Sequence, residues 1–167
     1  LLIGIMSDTH DFIPNIRKAV DLFNAKGVAR CLHAGDIYTA RSWQAFQDLR
    51  CPIDFVFGNG DDVREPLQEA AAGRASFHER RFDVRIEGRR LLMMHEPESF
   101  DDIANVSDYD CIIYGHTHRH DIREAGGILL INPGEVCGYV TGIASVVILE
   151  LPTLKAELID LETGAVI

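Results

Sequence analysis

Seven residues of types that ligate transition metals recur in a regular pattern along this 167-residue chain. Asp8 and His10 form a D-x-H pair, and Asp36 follows Gly35. Asn59 lies in Gly58-Asn59-Gly60-Asp61, His95 closes an apolar run, and His116 and His118 sit in Gly115-His116-Thr117-His118. Carboxylates, neutral imidazoles and one amide oxygen make a mixed N/O set, which suits Mn, Fe, Zn or Ni rather than Ca. The two-residue spacings place paired ligands on one side of an extended segment or turn, whereas a helix would need three or four. Seven ligands exceed the needs of one ion, and two ions sharing a carboxylate match the number. Two divalent ions about 4 Å apart repel by roughly 16 kcal/mol at an effective dielectric near 20. Asp8, Asp36 and a bridging hydroxide would cancel three of the four positive charges, and the remaining one attracts an anionic ester. Such a pair acidifies its bridging water and clamps phosphoryl oxygens, so the chemistry expected is phosphate-ester hydrolysis.

The elements that carry these residues share one rule. Five nearly continuous apolar runs, Leu2–Met6, Ala29–His33, Ile53–Phe57, Leu91–Met94 and Cys111–Tyr114, read as strands buried on both faces. Each is followed at once by one or more of the ligand candidates, where open α/β sheets bind ligands beyond the strand carboxyl ends. Taken singly, Asp8 suits a helix cap, the Gly-Asp and Gly-Asn steps suit turns, and His95 suits a satisfied core histidine. Their joint placement at strand ends is what favours a metal site. Pro14–Lys26, Arg41–Leu49 and Val63–Ala72 are the helix candidates between strands, with Phe100–Val106 a weaker one. After Gly115 the pattern becomes antiparallel: Arg119–Glu124, Ile128–Asn132, Ile143–Leu151, Lys155–Asp160 and a last short run, with Ala125-Gly126-Gly127 as a hairpin turn. No repeat or linker divides the chain, so residues 1–167 are expected to form one domain. Of the other histidines, His33 reads as support for its turn, His78 as a solvated side chain, and His120 as a substrate contact.

Composition narrows the partners. A net charge of −10 argues against tracking long nucleic acids, and no Lys/Arg stripe offsets it. A small phosphate ester suits the chain better, with metal supplying the positive charge. No apolar run is long enough to span a bilayer, and Leu1–Met6 reads as a strand rather than a signal peptide. The scattered cysteines Cys31, Cys51, Cys111 and Cys137 fit buried thiols in a reducing, cytoplasmic setting. Val136–Val140 is apolar enough for core or for a homo-oligomer interface.

On these residues the sequence resembles the calcineurin-like metallophosphoesterase superfamily, and within it the small phosphodiesterases of the YfcE type. The resemblance runs from Asp8 to the Asn132-Pro133-Gly134 turn. It implies an α/β fold of two packed mixed sheets flanked by helices, a four-layer sandwich. It also implies that Asp8, His10, Asp36 and His118 hold one metal, with Asp36 bridging, and that Asn59, His95 and His116 complete the second. The ions would be divalent, Mn2+ first. A bridging hydroxide would attack phosphorus in line, with Asn59 positioning the phosphate, so Asn59, Asp36 and His10 lie nearest the chemistry. Two positions depart from the family pattern. Gly60 stands where relatives carry His or Cys, a proton donor, which predicts a preference for good leaving groups and a gain from Gly60→His. Glu96 stands where Gly is common and is expected to face solvent. Asp61 is expected to orient its loop. A binding scaffold on the same fold is the alternative function, and the complete ligand set argues for the enzyme.

Overall fold

The computed structural model describes residues 1–97 and 108–167. The helix expected over 100–106 lies outside them. Among the described residues, eleven strands form two sheets. The first has the order β11-β10-β1-β2-β3-β4 and contains β1 (Leu2–Met6), β2 (Arg30–His33), β3 (Ile53–Val56), β4 (Ala75–His78), β10 (Ser145–Glu150) and β11 (Lys155–Asp160). Strands β1 to β4 run parallel, and β10 and β11 add antiparallel edges. The second sheet has the order β5-β6-β7-β9-β8, with β5 (Arg81–Ile86), β6 (Arg89–Met94), β7 (Cys111–Ile113), β8 (Asp121–Ala125) and β9 (Ile128–Asn132). Its centre, β6-β7-β9, is parallel. The expected two mixed sheets are therefore present.

Period-two alternation explains how the sheets pack. Ile3, Ile5, Leu32 and Val56 of the first sheet meet Leu91, Met93, Ile113 and Ile131 of the second in one buried layer. The other face of the first sheet is covered by α1 (Ile13–Lys26), α2 (Trp43–Phe46) and α3 (Arg64–Ala70). Helix α1 buries Ile16, Ala19, Val20 and Phe23 at helical spacing, carries Pro14 in its first turn, and stops at Gly27 with φ +70. Fully burying such a side chain contributes about 2 kcal/mol relative to exposure. The central strands are thus firmly seated, and their carboxyl ends form a rigid platform.

Two strands depart from the sequence reading. The segment around His78 is a strand, not a solvated loop: β4 pairs parallel with β3, and the half-buried His78 ring stacks on Phe82 at 4.1 Å. Strand β5 alternates exposed Arg81, Asp83 and Arg85 with half-buried Phe82, Val84 and Ile86. The charges on its outer face obscured that alternation. The helix expected over 41–49 is shorter, a 3-10 turn at Ala40–Ser42 leading into α2. Strand β10 is shorter than the expected 143–151, and the last short run makes only an isolated bridge, Ile159 to Val166. All four cysteines are free, with Cys31 and Cys111 buried. In the stretch 136–140, Val136 and Cys137 are core, while Tyr139 and Val140 are 63% exposed.

Candidate metal centre

Three polar devices lock the loops at the strand ends to one another. The loop after β1 lies along the loop after β2: Asp8 N donates to Gly35 O (3.0 Å), Thr9 N and His10 N to Asp36 O (3.0 and 3.1 Å), and Asp11 N to Ile37 O (3.1 Å). The Asp61 carboxylate accepts from the amides of Asp36, Ile37, Tyr38 and Gly58 at 2.8–2.9 Å, joining the β2 loop to the β3 loop. Its role is to orient the loops, as expected. Asn132 Nδ2 donates to Gly115 O and Thr117 Oγ1, both at 3.0 Å, and so fixes the His116–His118 segment from below. Among the described non-glycine residues with positive φ, all but Glu87 and Leu154 lie in these loops: Asp8, His10, Asp11, Asp36, Tyr38, His116 and His118. Left-handed backbone costs such residues about 1–3 kcal/mol each, and the side chains of Asp8, His10, Asp36, His116 and His118 converge beyond the strand ends with those of Asn59 and His95.

Seven side chains meet there in two overlapping groups. In the first, Asp8 Oδ1 lies 3.6 Å from His10 Nε2 and 3.4 Å from His118 Nε2, while Asp36 Oδ2 lies 3.7 Å from His10 Nε2. In the second, Asn59 Oδ1 lies 3.1 Å from His95 Nε2 and 2.9 Å from His116 Nδ1. Asp36 belongs to both, since its Oδ1 is 3.4 Å from His95 Nε2. Ligands held about 2.1 Å from one ion stand roughly 3.0–3.5 Å apart, close to these separations. Asp8 Oδ1 and His10 Nε2 are buried without a hydrogen-bond partner. Buried polar atoms are almost always satisfied, so two orphans facing one another need a shared partner. A divalent cation meets that need, and the donor set fits it.

The electrostatics agree. Burial works against a charge on His10, yet the carboxylates of Asp8 and Asp36 outweigh it and raise its pKa. Burial likewise opposes ionising Asp8, but the neighbouring His10 imidazole and the Ser7 hydroxyl hold its carboxyl below the usual range. The space therefore favours positive charge. Tautomers are steered from behind: His95 Nδ1 lies 2.7 Å from Ala34 O, and His118 Nδ1 lies 2.7 Å from Glu135 Oε2. With Nδ1 donating, each Nε2 presents its lone pair to the centre. His33 is buried beneath, 3.1 Å from Thr9 Oγ1, with Nδ1 accepting from Gly35 N at 3.2 Å, the supporting place expected of it. His120 is exposed and, among the described residues, has no hydrogen bond or ring contact to the cradle. The structure does not bring it in.

Three features escaped sequence reasoning. Glu135 is fully buried, and its carboxylate accepts from His118, Tyr139 N, Val140 N, Thr141 N and the Thr141 hydroxyl, with Cys137 Sγ at 3.2 Å. Burial alone would raise its pKa, but these donors bring it down to about 2. A lone acid after Asn132-Pro133-Gly134, in an apolar run, was the available signal. Tyr38 is the second. A Cβ built on Gly60 would come within 2.2 Å of Tyr38 Cε1, so the room for a side chain at position 60 is already taken. A side chain at position 60 must therefore move the Tyr38 ring, a cost that the gain expected from Gly60→His leaves out. The third is a cavity of about 440 Å3 opening beside Asn59 and His95, with Phe57 and Met94 and the charged Arg64, Arg80, Glu79 and Glu96 in its walls. Glu96 is exposed, as expected, but faces this cavity.

Known proteins resemble the chain across nearly all of this architecture. The family model described as the calcineurin-like phosphoesterase superfamily domain matches residues 1–153. A phosphodiesterase of Methanocaldococcus jannaschii is 38% identical over 164 residues, covering 96% of this chain and 99% of its own. The solved structure of an archaeal phosphodiesterase superposes with a TM-score of 0.89 at 34% identity, over 96% of this chain and 99% of that one. The phosphoesterase YfcE of E. coli shares the fold, with a TM-score of 0.81 at 21% identity over 100% of this chain and 97% of its own. The chain belongs to the calcineurin-like phosphoesterase superfamily.

Proposed function

We propose that the chain hydrolyses small phosphate esters, diesters foremost, with two divalent metal ions. Asp8, His10, Asp36 and His118 hold the first ion. Asp36, Asn59, His95 and His116 hold the second. Mn2+ is the first choice, with Fe, Zn and Ni as alternatives that the same ligands accept. The observation that carries this reading is the pair of orphaned buried atoms, Asp8 Oδ1 and His10 Nε2, inside a ring of convergent ligands. Membership of a phosphoesterase superfamily and a phosphodiesterase relative matched end to end support it.

When bound, the metal pair supplies an activated water nucleophile at neutral pH and positive charge for the phosphoryl oxygens. The chain's own groups do the rest. Asn59 Oδ1 faces His95 Nε2 and His116 Nδ1, the place where the second ion would be held, which leaves Nδ2 to donate to a phosphoryl oxygen. Asn59 and His116 are exposed while Asp8, Asp36 and His95 are buried, so the ester approaches from the Asn59 side, next to the cavity. Asp36 Oδ1 also accepts from Gly60 N at 2.8 Å, which stops its carboxylate rotating between the two groups. In the hydrolysis a P–O bond would form with the water oxygen as the bond to the ester oxygen breaks, the water's proton passing to solvent and the departing alcohol taking one back from it. With no side chain at Gly60 to protonate the departing oxygen, acidic leaving alcohols are favoured.

The test is metal reconstitution. Chelator-stripped protein should not release p-nitrophenol from bis(p-nitrophenyl) phosphate, and adding Mn2+ or a neighbouring transition ion should restore release. A fully metal-loaded protein that turns over neither diester nor monoester would sink the reading.

A further inference from the structure

The His10 edge of the cradle bears two aromatic side chains that the chemistry above does not use. Tyr38 sits at φ +87, in the left-handed region that bulky residues rarely adopt, and is held there by its N–H to Asp61 Oδ1 at 2.8 Å. Its ring meets His10 edge-on, with centroids 4.4 Å apart at 87°, and fills the room beside Gly60. The side chain is nonetheless 38% exposed, and its hydroxyl makes no hydrogen bond among the described residues. Tyr139 also borders His10, with its centroid 6.4 Å away, and packs against Phe12 at 5.6 Å while remaining 63% exposed. Its backbone is anchored, because Tyr139 N and its neighbours Val140 N and Thr141 N all donate to Glu135.

The distribution of exposed apolar surface makes this placement informative. Apart from Leu1, Val166 and Ile167 at the chain ends, the large exposed hydrophobic residues described are Val63 and the group Tyr38, Tyr139, Val140 and Ile143. Single exposed apolar side chains need no explanation, but two exposed rings beside a ligand cluster, each on backbone anchored to a buried carboxylate, do. Neither ring is needed to fill the core, and Tyr38 is kept in strained backbone. Tyrosine offers a flat face for stacking and a hydroxyl for polar contact, the means by which proteins hold rings at wet sites.

We propose that Tyr38 and Tyr139 form an aromatic subsite at the His10 edge of the cradle, which takes an aromatic ring carried by the ester, a nucleobase or an aryl group. The inference rests on the cradle being a phosphate-ester site and adds the class of its substituent. Stacking of one ring on one tyrosine is worth enough to tighten binding about ten-fold.

The test is calorimetric titration of the Mn2+-loaded full chain with three non-hydrolysable phosphonates: methylphosphonate, phenylphosphonate and the 5′-phosphonate of thymidine. At least one ring-bearing ligand should bind about ten-fold more tightly than methylphosphonate. Whichever gains more identifies an aryl group or a nucleobase as the preferred ring. That ratio should fall toward one in Tyr139→Ser and in Tyr38→Leu, and persist in Tyr38→Phe, which keeps the ring. Equal affinities in the wild type, or a ratio that survives both ring removals, would overturn the subsite while leaving the phosphate-ester reading standing. Failure of all three phosphonates to bind removes that reading, and the subsite with it.

Discussion

Asp36 uses its two carboxylate oxygens differently. Oδ2 faces His10 at 3.7 Å, while Oδ1 faces His95 at 3.4 Å and accepts from Gly60 N. Its two oxygens thus face both ligand groups, so the spacing of the centre depends on this side chain. Glu135 has a comparable place one layer out, between His118 and the amides of residues 139–141. Glu135→Gln keeps the shape but puts an amide NH2 against some of those donors and removes the charge that fixes the His118 tautomer. Losing such an outer contact typically costs 10–100-fold in metal affinity. Calorimetric metal titration should therefore show the tighter Mn2+ site weakened about ten-fold or more, with the secondary structure seen by circular dichroism retained. An unchanged titration would mean that Glu135 serves only the loop. Thr141→Val separates the roles further, since it removes the hydroxyl's contacts with Glu135 and Ile143 and leaves His118 held, and its metal affinity should stay near wild type.

At the scale of elements, the loops after β1, β2 and β3 behave as one unit because Asp61 and the Asp8–Ile37 ladder tie their backbones together. Position 60 shows the consequence. Gly60→His must displace the Tyr38 ring, and overpacking of this kind costs about 1–3 kcal/mol. We expect it to lower both thermal stability and diester turnover, and Gly60→His combined with Tyr38→Ala to recover stability. A double-mutant cycle with no coupling would contradict that account. The same scale shows which parts of the fold could be read from sequence. Strands β1 and β9 fall where their apolar runs placed them, because strands buried within a sheet need apolar residues nearly throughout. Ligand candidates were legible because they follow such strands directly. Edge strands β4 and β5 were not: β4 is four residues long with no fully buried position, and in β5 the charges on the exposed half mask the alternation. Glu135 and Tyr38 were hidden for another reason: they act through contacts with His118 and Gly60, 17 and 22 positions away, that only the folded loops create.

For the molecule as a whole, the acidic balance and the buried cradle make stability depend on protons and metal together. His33 lies fully buried, and burial brings its pKa down to about 3. The unfolded chain takes up that proton near pH 6.5, whereas the folded one does not until about pH 3. Stability from this group is therefore complete above pH 6.5 and declines as the pH falls toward 3. Between pH 7 and pH 5 the loss is about 2 kcal/mol, and urea unfolding of metal-stripped protein should show it. His33→Gln should flatten that part of the profile. Metal binds only the folded cradle, so saturating Mn2+ should raise the midpoint of thermal unfolding.

The fold alone does not separate a hydrolase from a binding scaffold, but a filled cradle makes a claim that one residue can test. Metal content and bis(p-nitrophenyl) phosphate turnover should be measured together in wild type and Asp36→Asn after equal loading with Mn2+. The account predicts two ions per chain and metal-dependent turnover in the wild type, with at most one ion and at least a hundred-fold loss of rate in the variant, on the order expected when an electrostatic anchor of catalysis is removed. Unchanged metal content together with unchanged turnover in Asp36→Asn would contradict it.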